Sequence, residues 1–238
     1  MIIKPIKTRI FHEGDDLFTF ITGYFKKIPE KSVIVITSKI AALAEKRTAV
    51  IENNQTKERL IRAESEFAIP TKYVWLTVKD GMVMAAAGID ESNANGKLIL
   101  LPKDSFKIAR FLRRELRRKY NVKQLGVLIT DSRTIPLRAG VTGVALGYAG
   151  FRGVKDYRGK PDIFSRKFQF SRVNVADSLA TAAVFTMGEG NEQQPLAIIE
   201  KAPIKFCDKI HRQELLIDIQ DDMYRPLFSK LLKNNFGI

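Results

Sequence analysis

Five consecutive residues, Val33-Ile34-Val35-Ile36-Thr37, constrain the fold more than any other stretch of this chain. β-Branched side chains are stiff about χ1 and pack well on a pleated surface, so the run predicts a buried strand. A buried strand needs neighbours, and the sequence supplies them. Asp15 to Lys27 predicts an amphipathic helix, with Leu17, Phe18, Phe20, Ile21, Tyr24 and Phe25 near helical spacing, acids at its start and lysines at its end. Asp104 to Tyr120 predicts the strongest helix, capped by Asp104 or Ser105. Its apolar stripe is Phe106, Ile108, Ala109, Phe111, Leu112 and Leu116. Tyr73 to Val78 and Met82 to Ala87 flank Lys79-Asp80-Gly81 and predict a hairpin.

Further strands are expected at Gly126 to Thr130, Phe168 to Val175 and Leu196 to Glu200, with a glycine-punctuated stretch from Val141 to Gly150. A small-residue helix is expected from Ala176 to about Met187, and a helical C-terminal stretch from Asp218 to Leu232 with Pro226 as a kink. Strands and helices mix without the regular βαβ alternation of a doubly wound sheet. The reading is an α+β fold with mixed or antiparallel sheets and packed helices, one domain over 1–238.

Apolar runs such as Leu98-Ile99-Leu100-Leu101 fall far short of the roughly 20 residues that span a bilayer, so no membrane partner is expected. The N-terminus shows no signal-peptide pattern. Cys207 is the single cysteine, which excludes an intrachain disulfide and a thiolate metal site and fits a cytoplasmic setting. An excess of 40 Lys+Arg over 26 Asp+Glu gives a net charge of +14. Such a balance implies an anionic partner: nucleic acid, a nucleotide or a polycarboxylate.

Against that positive background, two acidic clusters stand at the exits of apolar runs: Gly88-Ile89-Asp90-Glu91-Ser92-Asn93 and Ile129-Thr130-Asp131-Ser132. Carboxylates beside hydroxyl and amide groups are the hard-oxygen chemistry that Mg²⁺ or Mn²⁺ needs when it also holds phosphate oxygens. Each aspartate alone reads equally as a turn former or a helix cap. Thr37-Ser38-Lys39 offers hydroxyls, backbone N–H groups and a cation at a strand-to-helix turn, a phosphate-cradle pattern without the glycines of a P-loop. Chemistry alone favours an ordinary cap there. Met187-Gly188-Glu189-Gly190 could wrap a nucleotide but reads first as a helix C-cap. The arginines around Phe111 to Lys119 read first as a solvated face and second as a polyanion-binding stripe. His12 and His211 fit no metal-ligand pattern and read as structural or surface residues.

Taken together in order, these segments resemble the coenzyme F420-0:gamma-glutamyl ligases, which extend a deazaflavin coenzyme with glutamate. The likeness runs to about Glu200 and leaves 201–238 as an extension. Its landmarks are Gly14-Asp15-Asp16-Leu17, Val35-Ile36-Thr37-Ser38-Lys39, Ala86 to Asp90 with Ser92-Asn93, and Ile129-Thr130-Asp131-Ser132. Arg138-Ala139-Gly140-Val141-Thr142, Asp156-Tyr157-Arg158-Gly159, Val175-Ala176-Asp177 and Met187-Gly188-Glu189 complete the set.

The resemblance implies a homodimer of α+β subunits with intertwined subdomains. It also implies use of GTP (or ATP), Mg²⁺ or Mn²⁺, and often K⁺. By the same resemblance Asp90, Asp131 and Ser132 are metal ligands. Ser38, Lys39, Asn93, the segment Thr8-Arg9-Ile10-Phe11, and Met187-Gly188-Glu189-Gly190 would contact nucleotide. Asp90, Asp131 and Arg138 would be catalytic, with Lys39 and Arg138 holding anionic groups. L-glutamate and an anionic acceptor would be joined through an acyl phosphate.

The chain also departs from that pattern. A lysine shortly after Thr-Ser-Lys is Leu43 here, and the glycine after the glutamate matching Glu45 is Lys46. Where relatives run Asp-Thr-Phe/Met-Gly-Arg, this chain has Asp131-Ser132-Arg133-Thr134-Ile135. These changes point to a different nucleotide or acceptor preference, with a folate-like acceptor as one expectation. The competing reading is a non-catalytic nucleotide sensor or RNA binder that uses the basic helix.

Overall fold

A computed structural model describes residues 1–51, 53–209 and 212–226. In chain order the elements are β1 (Ile2–Ile6), α1 (Leu17–Tyr24), β2 (Ser32–Thr37), α2 (Ser38–Ala44), β3 (Thr48–Ala49), α3 (Asn54–Ala63), β4 (Phe67–Pro70), β5 (Trp75–Lys79) and β6 (Met82–Ala85). They continue with a three-residue turn (Ala86–Gly88), β7 (Leu98–Ile99), α4 (Ser105–Tyr120), β8 (Leu125–Thr134), β9 (Val141–Ala149), β10 (Val154–Asp156), β11 (Arg172–Asn174), α5 (Val175–Met187) and β12 (Leu196–Glu200).

The β-branched run becomes the middle of the main sheet, whose order is β1-β12-β2-β8-β9. β2 runs parallel to β8, and the other neighbours in this sheet are antiparallel. Successive strand residues point to opposite faces, so both faces of β2 must be covered. Ile34 and Ile36 pack with α1, α2 and α4. Val33 and Val35 pack with α5 on the other side. The α+β expectation with mixed and antiparallel sheets is therefore met. A second, three-stranded sheet holds β4-β5-β6, and the expected hairpin turn falls at Asp80-Gly81.

Two glycines of β9 set how closely the helices approach. A Cβ on Gly143 would lie 2.4 Å from the Ala180 carbonyl oxygen of α5, and one on Gly147 would lie 2.4 Å from Ser105 of α4. The register of β9 against β8 slips at Ile129/Thr130, leaving Leu146 as an extra residue. That bulge lets one strand present glycine to both helix layers.

Three expectations are corrected. β8 does not end before Asp131; it continues to Thr134, because Val141 to Val144 of β9 supply ladder partners that the polar run Asp131-Ser132-Arg133-Thr134 did not advertise. The strand expected over Phe168 to Val175 is confined to Arg172–Asn174. The Asn174 side chain accepts from Asp177 N and so starts α5 at Val175. In the C-terminal stretch, Asp218 to Tyr224 forms turns in which Asp218 and Asp222 accept backbone N–H groups two residues on, the local bonding that competes with helix. The remainder of that predicted helix beyond Pro226, and His211, lie outside the described residues. Among the described residues no helix is long and apolar enough to cross a membrane.

Candidate active site

The parallel pair fixes the site. Thr37 of β2 is in register with Thr130 of β8, so the two strands reach the same end of the sheet together. Chain leaving that end carries Ser38-Lys39 into α2 and Asp131-Ser132 along β8. Carboxyl ends of parallel strands are where open α/β sheets hold ligands. Ser38 Oγ donates to Asp131 Oδ1 at 3.3 Å. The next residue points to the opposite face, and there Ser132 Oγ donates to Glu189 Oε2 at 3.1 Å, just beyond α5. One strand end thus reaches both walls.

Asp90 arrives from the second sheet. Ala86 and Ala87 both adopt positive φ (47° and 55°), and this left-handed turn redirects the chain out of β6. Such backbone is strained for alanine and persists only where its surroundings fix it. Buried Thr77 does so, accepting from Ala87 N and donating to the Met84 carbonyl, each at 2.8 Å. Asp90 then exchanges two backbone hydrogen bonds of 2.9 Å with Ile99. Lys39 Nζ lies 2.8 Å from Asp90 Oδ2. Asn93, also at positive φ, donates from Nδ2 to the Gly190 carbonyl and joins the acidic loop to the glycine loop after α5.

These contacts enclose a cleft of about 910 Å³. Its lining includes Thr8, Arg9, Ile10, Phe11, Ser38, Lys39, Asp90, Asn93, Asp131, Ser132, Met187, Gly188, Glu189 and Gly190. Every residue expected to contact metal or nucleotide or to act in catalysis therefore meets in one place except Arg138. That residue is exposed in the β8–β9 connection, its backbone N–H bonded to the Ile135 carbonyl, outside the residues that line this cleft. His12, read as structural or surface, lines the cleft. Sequence reasoning also missed Lys97 and Glu13, which pair across the rim at 2.5 Å. Only their spacing to Asp90 and Asp15 marks them. Leu43 lines the cleft as well, so the position where the resemblance expects a lysine does face the site.

The two aspartates differ electrostatically. Burial pushes the Asp90 carboxyl up, but hydrogen bonds from Lys39 and Ser92 outweigh it and hold the group below the usual carboxylate range. Burial dominates at Asp131 and pushes it above that range, against the opposing charge of Arg133 and with the negative charge of Asp90 adding to the rise. Among the described residues no group of three or more His, Cys, Asp or Glu side chains is gathered to hold a metal by itself. The oxygen donors gathered there include the carboxylates of Asp90, Asp131 and Glu189 and the hydroxyls of Ser38 and Ser132. That set suits a hard cation that completes its shell with substrate phosphates, the usual Mg²⁺ arrangement.

The arginine helix turns partly inward. Arg113, 9% exposed, donates to the Leu125 carbonyl at 2.7 Å and pairs with Asp208 at 2.6 Å. Arg117 pairs with the same Asp208, while Arg114 and Arg118 pair with Glu115. Phe111, expected in the apolar stripe, is instead 48% exposed. Arg113 and Arg117 thus fasten the segment around Asp208 to α4, while Arg114 and Arg118 lie on the expected solvated face.

An α+β subunit with carboxylates, a lysine and a glycine loop around one strand-end cleft has the form of an enzyme. The chain belongs to the F420-0:gamma-glutamyl ligase family, whose sequence profile matches residues 5–201. It is similar to the coenzyme F420:L-glutamate ligase of Methanococcus maripaludis, 32% identical over 216 residues covering 83% of this chain and 86% of the relative. The enzyme of that name from Archaeoglobus fulgidus is 30% identical, with 94% and 95% covered. That from Methanopyrus kandleri is 42% identical over a shorter stretch, 58% of this chain and 55% of its own.

Proposed function

We propose that this chain is a nucleoside-triphosphate- and metal-dependent ligase that joins the amine of L-glutamate to a carboxylate of an F420-type acceptor. One observation carries the reading. The Thr37–Thr130 register brings Ser38-Lys39 and Asp131-Ser132 to one strand end, where Asp90 meets them. A polyanion binder gains nothing from carboxylates placed there, whereas phosphoryl transfer needs them. The RNA-binding alternative loses Arg113 and Arg117 to internal pairing.

In this reading Asp90, Asp131 and Ser132 would hold Mg²⁺ or Mn²⁺, which neutralises phosphate charge when bound, and Ser38 contacts the nucleotide. Lys39 moves from Asp90 to a phosphate oxygen. The Gly188-Glu189-Gly190 backbone and Asn93 embrace the nucleoside, with Thr8 to Phe11 on the opposite rim. An acceptor carboxylate oxygen attacks the terminal phosphorus, the bond to the bridging oxygen breaks, and the nucleoside diphosphate leaves. The glutamate amine then attacks the acyl carbon of the resulting acyl phosphate, expels inorganic phosphate and loses a proton. Little covalent work falls to the protein; positioning and electrostatics supply the rate. The second copy in a homodimer and a K⁺ ion belong to the same proposal.

Purified protein is tested for phosphate release with GTP or ATP, Mn²⁺, L-glutamate, and either a deazaflavin or a folate acceptor. Release that requires both glutamate and acceptor is expected. Asp131→Asn should lower it by much more than about tenfold, since a metal ligand acts in the transition state. Release independent of acceptor, or a smaller loss in that variant, would overturn the reading.

A further inference from the structure

A second cleft, of about 770 Å³, opens between the β10–β11 ribbon and the segment that follows β12. Val175, at the start of α5, lines it, whereas Met187 at the other end of α5 lines the candidate active site. Thirteen helical residues at 1.5 Å each separate the two by roughly 20 Å. Six cations surround this cleft: Arg152, Lys155, Arg158, Lys160, Arg172 and Lys205. Arg158 is committed to Asp156, at 2.6 Å. Lys155 and Lys160 lie over the Tyr157 ring. The side chains of Arg152, Arg172 and Lys205 make no hydrogen bond or ion pair among the described residues.

Behind the cleft wall lies a built receptor for one carboxylate, that of Glu214, which lines the cleft. Tyr148, fully buried, donates its hydroxyl to Glu214 Oε1 at 2.6 Å, and Gly153 donates its backbone N–H to the same oxygen at 2.7 Å. Only glycine permits this convergence. A Cβ on Gly153 would stand 2.1 Å from the Tyr148 oxygen and 2.9 Å from Glu214 Oε1. The chain's own Glu214 therefore sits in a cationic cleft as an internal anion. Three cations without a hydrogen bond or ion pair among the described residues, around a carboxylate held in place by a hydroxyl and a backbone N–H, are the chemistry of anion recognition.

We propose that this cleft is a second ligand site, for a small polyanion bearing several carboxylate or phosphate groups. Arg152, Arg172 and Lys205 supply the charge, and Glu214 is a resident competitor that lowers affinity. The site stands independently of the ligase reading. A γ-linked glutamyl chain is one source of such an anion and a phosphate chain is the other.

Isothermal titration with tri-γ-glutamate and with tripolyphosphate, at fixed ionic strength, tests this. At least one probe should bind. Arg172→Ala/Lys205→Ala should weaken it tenfold or more, and Glu214→Gln, which keeps an oxygen on Tyr148 and Gly153, should tighten it severalfold. Lys39→Ala, in the other cleft, should leave it unchanged. Binding of one probe alone names the source. Failure of both probes to bind, affinity unmoved by the double substitution, or affinity lost in Lys39→Ala instead would overturn the proposal. Circular dichroism of the double variant, whose two side chains are exposed, separates lost binding from lost folding.

Discussion

Lys39 Nζ lies 2.8 Å from Asp90 Oδ2, and it donates to the carbonyl and hydroxyl of Ser92 at 2.7 and 3.0 Å. A cation therefore rests among three oxygens, one of them a carboxylate, on the wall of the candidate active site. The lysine occupies one carboxylate of the oxygen set proposed for a divalent ion, so lysine and metal would compete for Asp90. Lys39→Ala should bind Mn²⁺ more tightly than the wild type without nucleotide and should bind nucleotide more weakly, by about tenfold, with it. Electron paramagnetic resonance titration of Mn²⁺, with and without GTP, reads both. Weaker Mn²⁺ binding without nucleotide would show that Lys39 supports the ion rather than standing in for it.

Leu43 lines the same cleft one helical turn beyond Lys39. Replacing it with lysine adds a charge at the i+4 position, on the same face of α2. Leu43→Lys should tighten nucleotide binding about three- to tenfold and steepen its loss with salt, because an added phosphate contact is electrostatic. Fluorescence titration at two ionic strengths checks it. An affinity unchanged at low salt would mean that the side chain does not reach the phosphates.

Much of this site was legible in the sequence because it hangs on hydrophobic pattern. The run Val33 to Ile36 announces a strand, and the polar residues after it must then fall at a strand end. The parallel pairing with β8 is a long-range event that no local pattern encodes, yet it alone makes neighbours of Ser38 and Asp131. Asp131 to Thr134 looked like loop because β propensity measures fit to a half-buried surface, and here the ladder partners of β9 override it. The inward turn of Arg113 was illegible for a similar reason. Its acceptors, the Leu125 carbonyl and Asp208, are set by how the chain returns past α4.

Arg133 is 8% exposed, and among the described residues its three guanidinium nitrogens have no hydrogen-bond partner; the nearest Asp131 oxygen is 3.9 Å away. A buried, poorly paired charge is costly, and an apolar residue of similar length is often neutral or stabilising by about 1–4 kcal/mol. Arg133→Met should therefore leave stability unchanged or raise it within that range, as read by the urea midpoint at constant slope. A loss above about 2 kcal/mol would show a well-formed Asp131–Arg133 pair in solution.

Glu64 closes α3 and receives two cations at once, Arg47 Nη2 at 2.7 Å and Lys79 Nζ at 2.5 Å. Burial alone would raise its carboxyl, but the hydrogen bonds and charges of Arg47 and Lys79 more than offset this and hold it below the ordinary value of 4.5. A carboxyl depressed by folding binds fewer protons folded than unfolded. Its stabilisation is complete above the ordinary value and is lost as pH falls through the depressed one. Glu64→Gln keeps the shape and removes the charge. The variant should be less stable than the wild type by about 1.5–3 kcal/mol at pH 7, the range for hydrogen bonds to charged groups. Below pH 4.5 the two should converge, since protonated Glu64 resembles glutamine. Urea unfolding of both proteins at pH 7, 5 and 3.5 measures the difference, and a gap that stays constant across this series would show that Glu64 carries no net electrostatic stabilisation.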